Sequence, residues 1–196
     1  VEGATPGANI GREPRDDVTL APRSAAGILP NSHGPRALRL GLALIRAAQI
    51  AGALERILAL AVDWANTRKQ FGRPIGKFQA VQHQLAAMAG EVAAVQVAVS
   101  NAARAVDARG LAEAGFEIGC AKVVAGEAAT FGAATAHQVF AAIGITEDHE
   151  LHHFTRRLWA WREEGGTDRA WAAEIGRQAI ARGGANLWPD LTARDA

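Results

Sequence analysis

The chain lacks the residues that several kinds of function require. A single cysteine, Cys120, excludes an internal disulfide and a cysteine-rich metal site, which fits a reducing interior and leads us to expect a cytoplasmic protein. Net charge is almost absent: 21 Lys and Arg stand against 20 Asp and Glu, so no global field favours nucleic acid or an anionic membrane. Any anion-binding role must be local. No basic segment followed by a short apolar run opens the chain, and residue 1 is Val, so the numbering is expected to start inside a longer polypeptide. The longest apolar stretch, residues 37–62, is interrupted by Arg39, Arg46, Glu55 and Arg56, which reads as a buried helix and a poor membrane span.

What is present is a chain of 196 residues, 49% apolar, enough for one or two cores and too apolar for disorder. Residues 1–34 hold four of the seven prolines and only short apolar runs such as 18–20 and 27–29, the texture of a β-domain's end and a linker. From residue 35 to 196 the pattern turns to Ala, Leu and Val at helical spacing. Leu40, Leu44, Ala47, Ala51, Leu54, Leu58 and Ala61 line one face of a first helix. Phe78, Val81, Leu85, Met88, Val92, Val95 and Val99 line a second, from Lys77 to about Asp107. A third, about 111–142, carries the small residues Ala121, Ala125, Ala128 and Gly132 beside Ile118, which suits close helix approach. Shorter helices are expected near 148–161 and 169–182. The fold class is therefore all-α, an up-down four-helix-type bundle with a short β tail.

Between the first two long helices, Arg68-Lys69-Gln70-Phe71-Gly72-Arg73-Pro74-Ile75-Gly76-Lys77-Phe78-Gln79 concentrates cations, amides, aromatic rings and glycines. Such a segment could cradle a phosphate-bearing ligand with a flat ring, because Arg donates in a fork and Gly lets backbone approach. On composition alone the commoner reading of such a segment is an ordinary helix-helix loop of solvated charges.

That segment resembles the signature of the acyl-CoA dehydrogenase family. Gln138 to Thr146 resembles the family's second flavin-contact motif, Arg156 follows Gly144 at the family's spacing, and Gly166-Thr167 matches the Gly-Thr after its active-site loop. Gly11 to Asp16 resembles the end of its middle β-domain. The resemblance implies FAD held between subunits, with Arg68 at the pyrophosphate, Gln70, Phe71 and Gln79 nearby, Gln138 and Gly144 toward the adenosine end, and Thr167 on the loop after the base. It implies α,β-dehydrogenation of an acyl-CoA thioester, an electron-transfer acceptor protein, and a homo-oligomer (dimer or tetramer) or a heteromer with a related subunit. Two departures stand out. Ala141 and Ala142 replace the family's paired glycines, and Gly165 and Leu42 occupy its two positions for the catalytic glutamate. Glu164, one residue away, is the candidate base, with Glu163 the other carboxylate that a shifted loop could present, unless 162–164 is a solvated charged turn. The alternative is a non-catalytic structural subunit of a heteromeric dehydrogenase, completing a partner's flavin site.

The remaining candidates each carry two readings. His149, His152 and His153 share a helix face as metal ligands would, or serve a helix surface. We expect the surface role, and hence no metal, because no matching carboxylate-His pairs recur. His83 and His137 read as packing residues and Cys120 as a buried hydrophobe. Trp159, Trp161 and Trp171 bracket the 163–167 loop as an acyl-pocket wall or as core. Arg156 and Arg157 could hold a CoA phosphate or make ion pairs.

Overall fold

A computed structural model describes residues 3–20 and 36–193. The expected linker, including the apolar run 27–29, lies outside the described residues. Strands β1 (Gly3–Thr5) and β2 (Asp17–Thr19) pair antiparallel, with Ala4 opposite Val18. Three long helices follow: α1 (Ala37–Thr67), α2 (Gln79–Arg109) and α3 (Gly115–Phe140). At 31 residues, α1 and α2 each run about 46 Å. Helices α4 (Leu151–Glu163) and α5 (Asp168–Arg182) close the bundle, and a short α6 (Leu187–Thr192) ends it.

The core lies where α1, α2 and α3 face one another. Leu40, Ala47, Ala51, Leu54 and Ala61 are buried on α1, with Leu44 and Leu58 packed against them. Met88, Val92 and Val95 are the buried residues of the α2 stripe, and Ile118, Ala121, Ala125 and Ala128 those of α3. Close approach of α1 to α3 depends on Gly132: a Cβ there would fall 2.4 Å from a Leu54 methyl. Cys120 departs from expectation, being half-buried rather than enclosed.

By length and composition α1, α2 and the stretch Gly115–Ile145 are each apolar enough to cross a bilayer, so the charges that interrupt α1 are too widely spaced to forbid it. In the structure their apolar faces pack on one another.

The segment expected to be a plain loop is more ordered than its composition suggests. Strands β3 (Lys69–Gln70) and β4 (Arg73–Pro74) form a two-residue hairpin, with Gln70 opposite Arg73. Both turn residues take positive φ, +52° at Phe71 and +81° at Gly72, as such a tight hairpin requires. A 3-10 turn over Ile75–Lys77 then leads into α2.

Candidate functional site

The hairpin and the end of α3 enclose an open cavity of about 750 Å³. Trp64, the last turn of α1, gives it an aromatic floor, stacked on Phe140 at 5.4 Å between ring centroids. Arg68 caps α1, its N–H donating to the Trp64 carbonyl while its own carbonyl accepts from Ile75 N–H at 2.9 Å. Its guanidinium lies 5.8 Å from the Trp64 ring. Phe71 is thrust outward by the turn and is 91% exposed, with Phe78 edge-on behind it at 6.1 Å.

Charge on this rim is uncompensated. Among the described residues, none of Arg68, Lys69, Arg73 and Lys77 forms a salt bridge, although eleven other pairs or contacts knit the rest of the molecule. Arg73 instead lies over the Phe78 ring at 4.2 Å. The N-terminus of α2 opens beside them with no side-chain cap and no acidic residue in its first turn, so the helix dipole adds positive potential. The rim therefore carries positive potential.

Of the residues singled out in the sequence, Arg68, Gln70, Phe71 and Gln138 line this cavity together. Gln79 stands apart from the wall, at the first residue of α2. Gly144 lies beneath the wall: a Cβ there would fall 2.8 Å from Phe140 Cβ and 3.1 Å from a Leu151 methyl, so glycine lets the 3-10 turn Ala141–Ile145 settle on α4. Thr167 is not at the cavity either, since its hydroxyl accepts from Ala170 N–H at 3.1 Å and caps α5. Phe140, Ile143 and Thr146, within the 138–146 motif, line the cavity beside Gln138, whereas Trp64 was missed as a lining residue. Trp64 could have been found, because it stands one helical turn before Arg68.

Ala141 carries a strained backbone at the cavity, with φ +54° and ψ −137°, a region that suits glycine. It and Ala142 are exposed on the wall. Ala141→Gly is expected to stabilise the protein by about 1 kcal/mol, the strain relieved less the added freedom of glycine when unfolded. A lowered melting temperature in calorimetry would contradict this.

The histidines act locally. His149 accepts from Leu151 N–H at the start of α4 and packs on Phe140 at 4.5 Å, while His152 Nδ1 meets the His149 carbonyl at 2.8 Å. His137 pairs with Thr155 Oγ1 at 3.1 Å, and burial lowers its pKa, keeping it neutral near pH 7.

A second polar centre surrounds the α4–α5 connection. Gly165 and Gly166 take φ +74° and +98°, and the Gly165 carbonyl accepts from Trp171 Nε1 at 2.9 Å. A Cβ on Gly165 would fall 2.8 Å from Ala43 N and 3.1 Å from the Leu42 carbonyl carbon. The two positions at which the resemblance expects a glutamate therefore touch, and backbone fills the space. Glu164 turns the other way, accepting from Arg15 Nε and Nη2 at 3.1 and 2.7 Å and from Asn9 at 3.1 Å, with Arg46 at 2.5 Å. Burial raises its pKa, but the hydrogen bonds from Asn9 and Arg15 and the charges of Arg46 and Arg15 outweigh this and lower it. From the core side, Lys122 of α3 is fully buried and donates to the Arg162 carbonyl at 2.6 Å. Trp161 and Trp171 are buried in the core, whereas Trp159 is 44% exposed. Arg156 donates to the Ile10 carbonyl at 2.8 Å, and Arg157 approaches Glu13, so both cations are engaged within the molecule.

Comparison with known proteins defines the class. Residues 39–183 match the family model described as the C-terminal domain of acyl-CoA dehydrogenase. The chain belongs to the acyl-CoA dehydrogenase family, as its C-terminal helical domain. It is 37% identical over 115 residues to the acyl-CoA dehydrogenase IpdE2 of Mycobacterium tuberculosis, covering 59% of this chain and 34% of that protein. It is 33% identical over 169 residues to the 3-sulfinopropanoyl-CoA desulfinase of Paraburkholderia xenovorans, covering 85% of this chain and 40% of that one. Among solved structures it superposes on the ChsE4-ChsE5 complex of Mycobacterium tuberculosis with a TM-score of 0.83 and 28% identity, over 91% of this chain and 49% of that one. The chain thus spans less than half the length of these proteins.

Proposed function

We propose that the complete enzyme to which this domain belongs carries out FAD-dependent α,β-dehydrogenation of an acyl-CoA thioester, and that the cavity at the β3–β4 hairpin is this chain's share of the flavin site. One observation carries the reading: Arg68 lines an apolar cavity at a hairpin whose neighbouring cations Lys69, Arg73 and Lys77, like Arg68 itself, form no salt bridge among the described residues, and the uncapped start of α2 follows in the chain beside an outward-facing phenylalanine. A dinucleotide has the matching parts, a diphosphate and flat rings. When bound, FAD supplies the hydride acceptor.

Arg68 would hold the diphosphate with a charge-assisted fork, and Gln70 and Gln138 would offer amide edges to polar ring atoms. Trp64, Phe140 and Ile143 would exclude water from the enclosed side. Gln79 would act from the α2 terminus, whereas Gly144 and Thr167 would contribute by shaping the turns they occupy. Phe71 points away from its own bundle, which suits a site completed by a second subunit. Leu38, Ile45 and Val97 are also left exposed on α1 and α2, surface that an oligomer would cover. The relative solved as a complex of two proteins supports such an assembly. An electron-transfer protein would then reoxidise the flavin.

Arg68→Ala in the full-length protein is expected to weaken flavin retention roughly 10- to 100-fold, the scale of one charge-assisted hydrogen-bond pair. The check is the ratio of flavin to protein absorbance after gel filtration. Full retention in the variant would count against the assignment.

A further inference from the structure

We propose that Glu164 is a positioning residue rather than a base: it is the centre of a clasp that ties the β1–β2 tail to the bundle and fixes the α4–α5 loop from outside. The tail folds back on itself through Asn9 N–H to the Glu13 carbonyl, Arg12 N–H to the Asn9 carbonyl and Arg15 N–H to the Gly7 carbonyl. This presents Asn9, Glu13 and Arg15 together toward α1 and α4. Arg15 and Arg46 then bridge to Glu164, and Trp161 Nε1 donates to both Glu13 oxygens at 3.1 and 3.0 Å.

Occupancy of the lone pairs decides the role. Glu164 Oε1 accepts from Asn9, Arg15 Nε and Arg15 Nη2, and Oε2 accepts from Arg15 Nη2 at 2.9 Å and faces Arg46. A carboxylate so surrounded has no free lone pair directed at a substrate carbon, and proton abstraction would require both arginines to withdraw. The same contacts are what a tie needs. They join three separate stretches, residues 9–15, α1 at Arg46 and the end of α4, so ordering one orders the others. Glu13 and Glu164 face Arg15 and Arg46, with Arg157 at 3.8 Å from Glu13, so each carboxylate of this half-buried cluster is paired with cations. The inference stands independently of the flavin site, which lies at the hairpin.

Hydrogen exchange of the Arg12 and Arg15 amides in the full-length protein tests it, with flavin absorbance recorded on the same samples. Glu164→Gln is expected to speed exchange at both amides by roughly tenfold or more, because the population of the opened tail sets the rate. Arg15→Gln is expected to do the same, and the double variant less than the sum of the two singles, the signature of a coupled pair. Turnover would fall with tail order in all three. Unchanged exchange in Glu164→Gln, or a drop of 10²-fold or more in kcat in that variant alone, would overturn the clasp and restore the base. Loss of flavin in the wild type would count against the flavin assignment and leave the exchange result standing.

Discussion

Gly165→Glu, the substitution that would place a glutamate where the family has its base, is expected to destabilise this protein severely rather than supply one. Residue 165 has φ +74°, which costs any L-residue about 1–2 kcal/mol. The added Cβ would also lie 2.8 Å from Ala43 N and 3.0 Å from Ala43 Cα, and a helix backbone cannot yield as a side chain can. Together these place the loss at about 4 kcal/mol or more, in the class of overpacking with backbone strain. For a domain of this size that lowers Tm by roughly 10 °C. Gly165→Ala separates the causes, since it meets the same collision without a charge and should lose most of the same stability. A Gly165→Glu protein that melts with the wild type would show that the loop is free of α1.

Lys122→Glu is expected to leave no folded protein, whereas Lys122→Met should fold. Lys122 is fully buried, and its ammonium donates to the Arg162 carbonyl, one of the last four of α4, which no further helical turn serves. A carboxylate there would face that carbonyl in the company of Asp168, Glu163 and Glu164, three acids against the one nearby cation Arg162. An uncompensated buried charge of this kind costs roughly 3–5 kcal/mol or more. Methionine loses one hydrogen bond but also removes a charge that the interior holds at a cost, so its net effect at pH 7 should be within about 2 kcal/mol of the wild type.

The same lysine predicts a pH dependence. Burial pushes its pKa down to about 8, against the ordinary 10.5, with Asp168 and Glu163 partly opposing. Between those values the unfolded chain binds the proton that the folded chain has released, so stability attributable to Lys122 rises as pH rises from about 8 to about 10.5. The wild type should gain on the order of 2 kcal/mol over Lys122→Met across that window. Denaturant midpoints at pH 7 and pH 10 read it directly, and a constant gap would contradict it.

Much of the bundle was legible in the sequence because its signals are local and periodic. The α1 stripe at Leu40, Ala47, Leu54 and Ala61 and the small-residue face of α3 need only helical spacing to be seen. The β3–β4 hairpin was not, since Phe71 takes a positive φ that its type disfavours and that the neighbouring Gly72 and the strand pairing impose. α6 was missed too, being a single short helix that Pro189 obscures.

The site was legible where residues stand close in sequence and illegible where the fold brings them together. Arg68, Gln70 and Phe71 fall within four positions, and the cavity unites them with Gln138. Glu164 could be picked out as a carboxylate near the right place, but its partners Asn9 and Arg15 lie about 150 residues away, and no spacing rule links them. Likewise Lys122 sits unmarked in an alanine-rich helix, and only packing shows that it closes α4.

The most direct test of the central claim is the absorbance spectrum of the purified full-length protein, before and after anaerobic addition of acyl-CoA thioesters. A flavin spectrum that bleaches with a thioester is the predicted result, because the rim at Arg68, Gln70, Phe71 and Gln138 would then be holding a working cofactor. A colourless protein from a flavin-replete preparation, or a flavin that stays oxidised with every thioester, would contradict it.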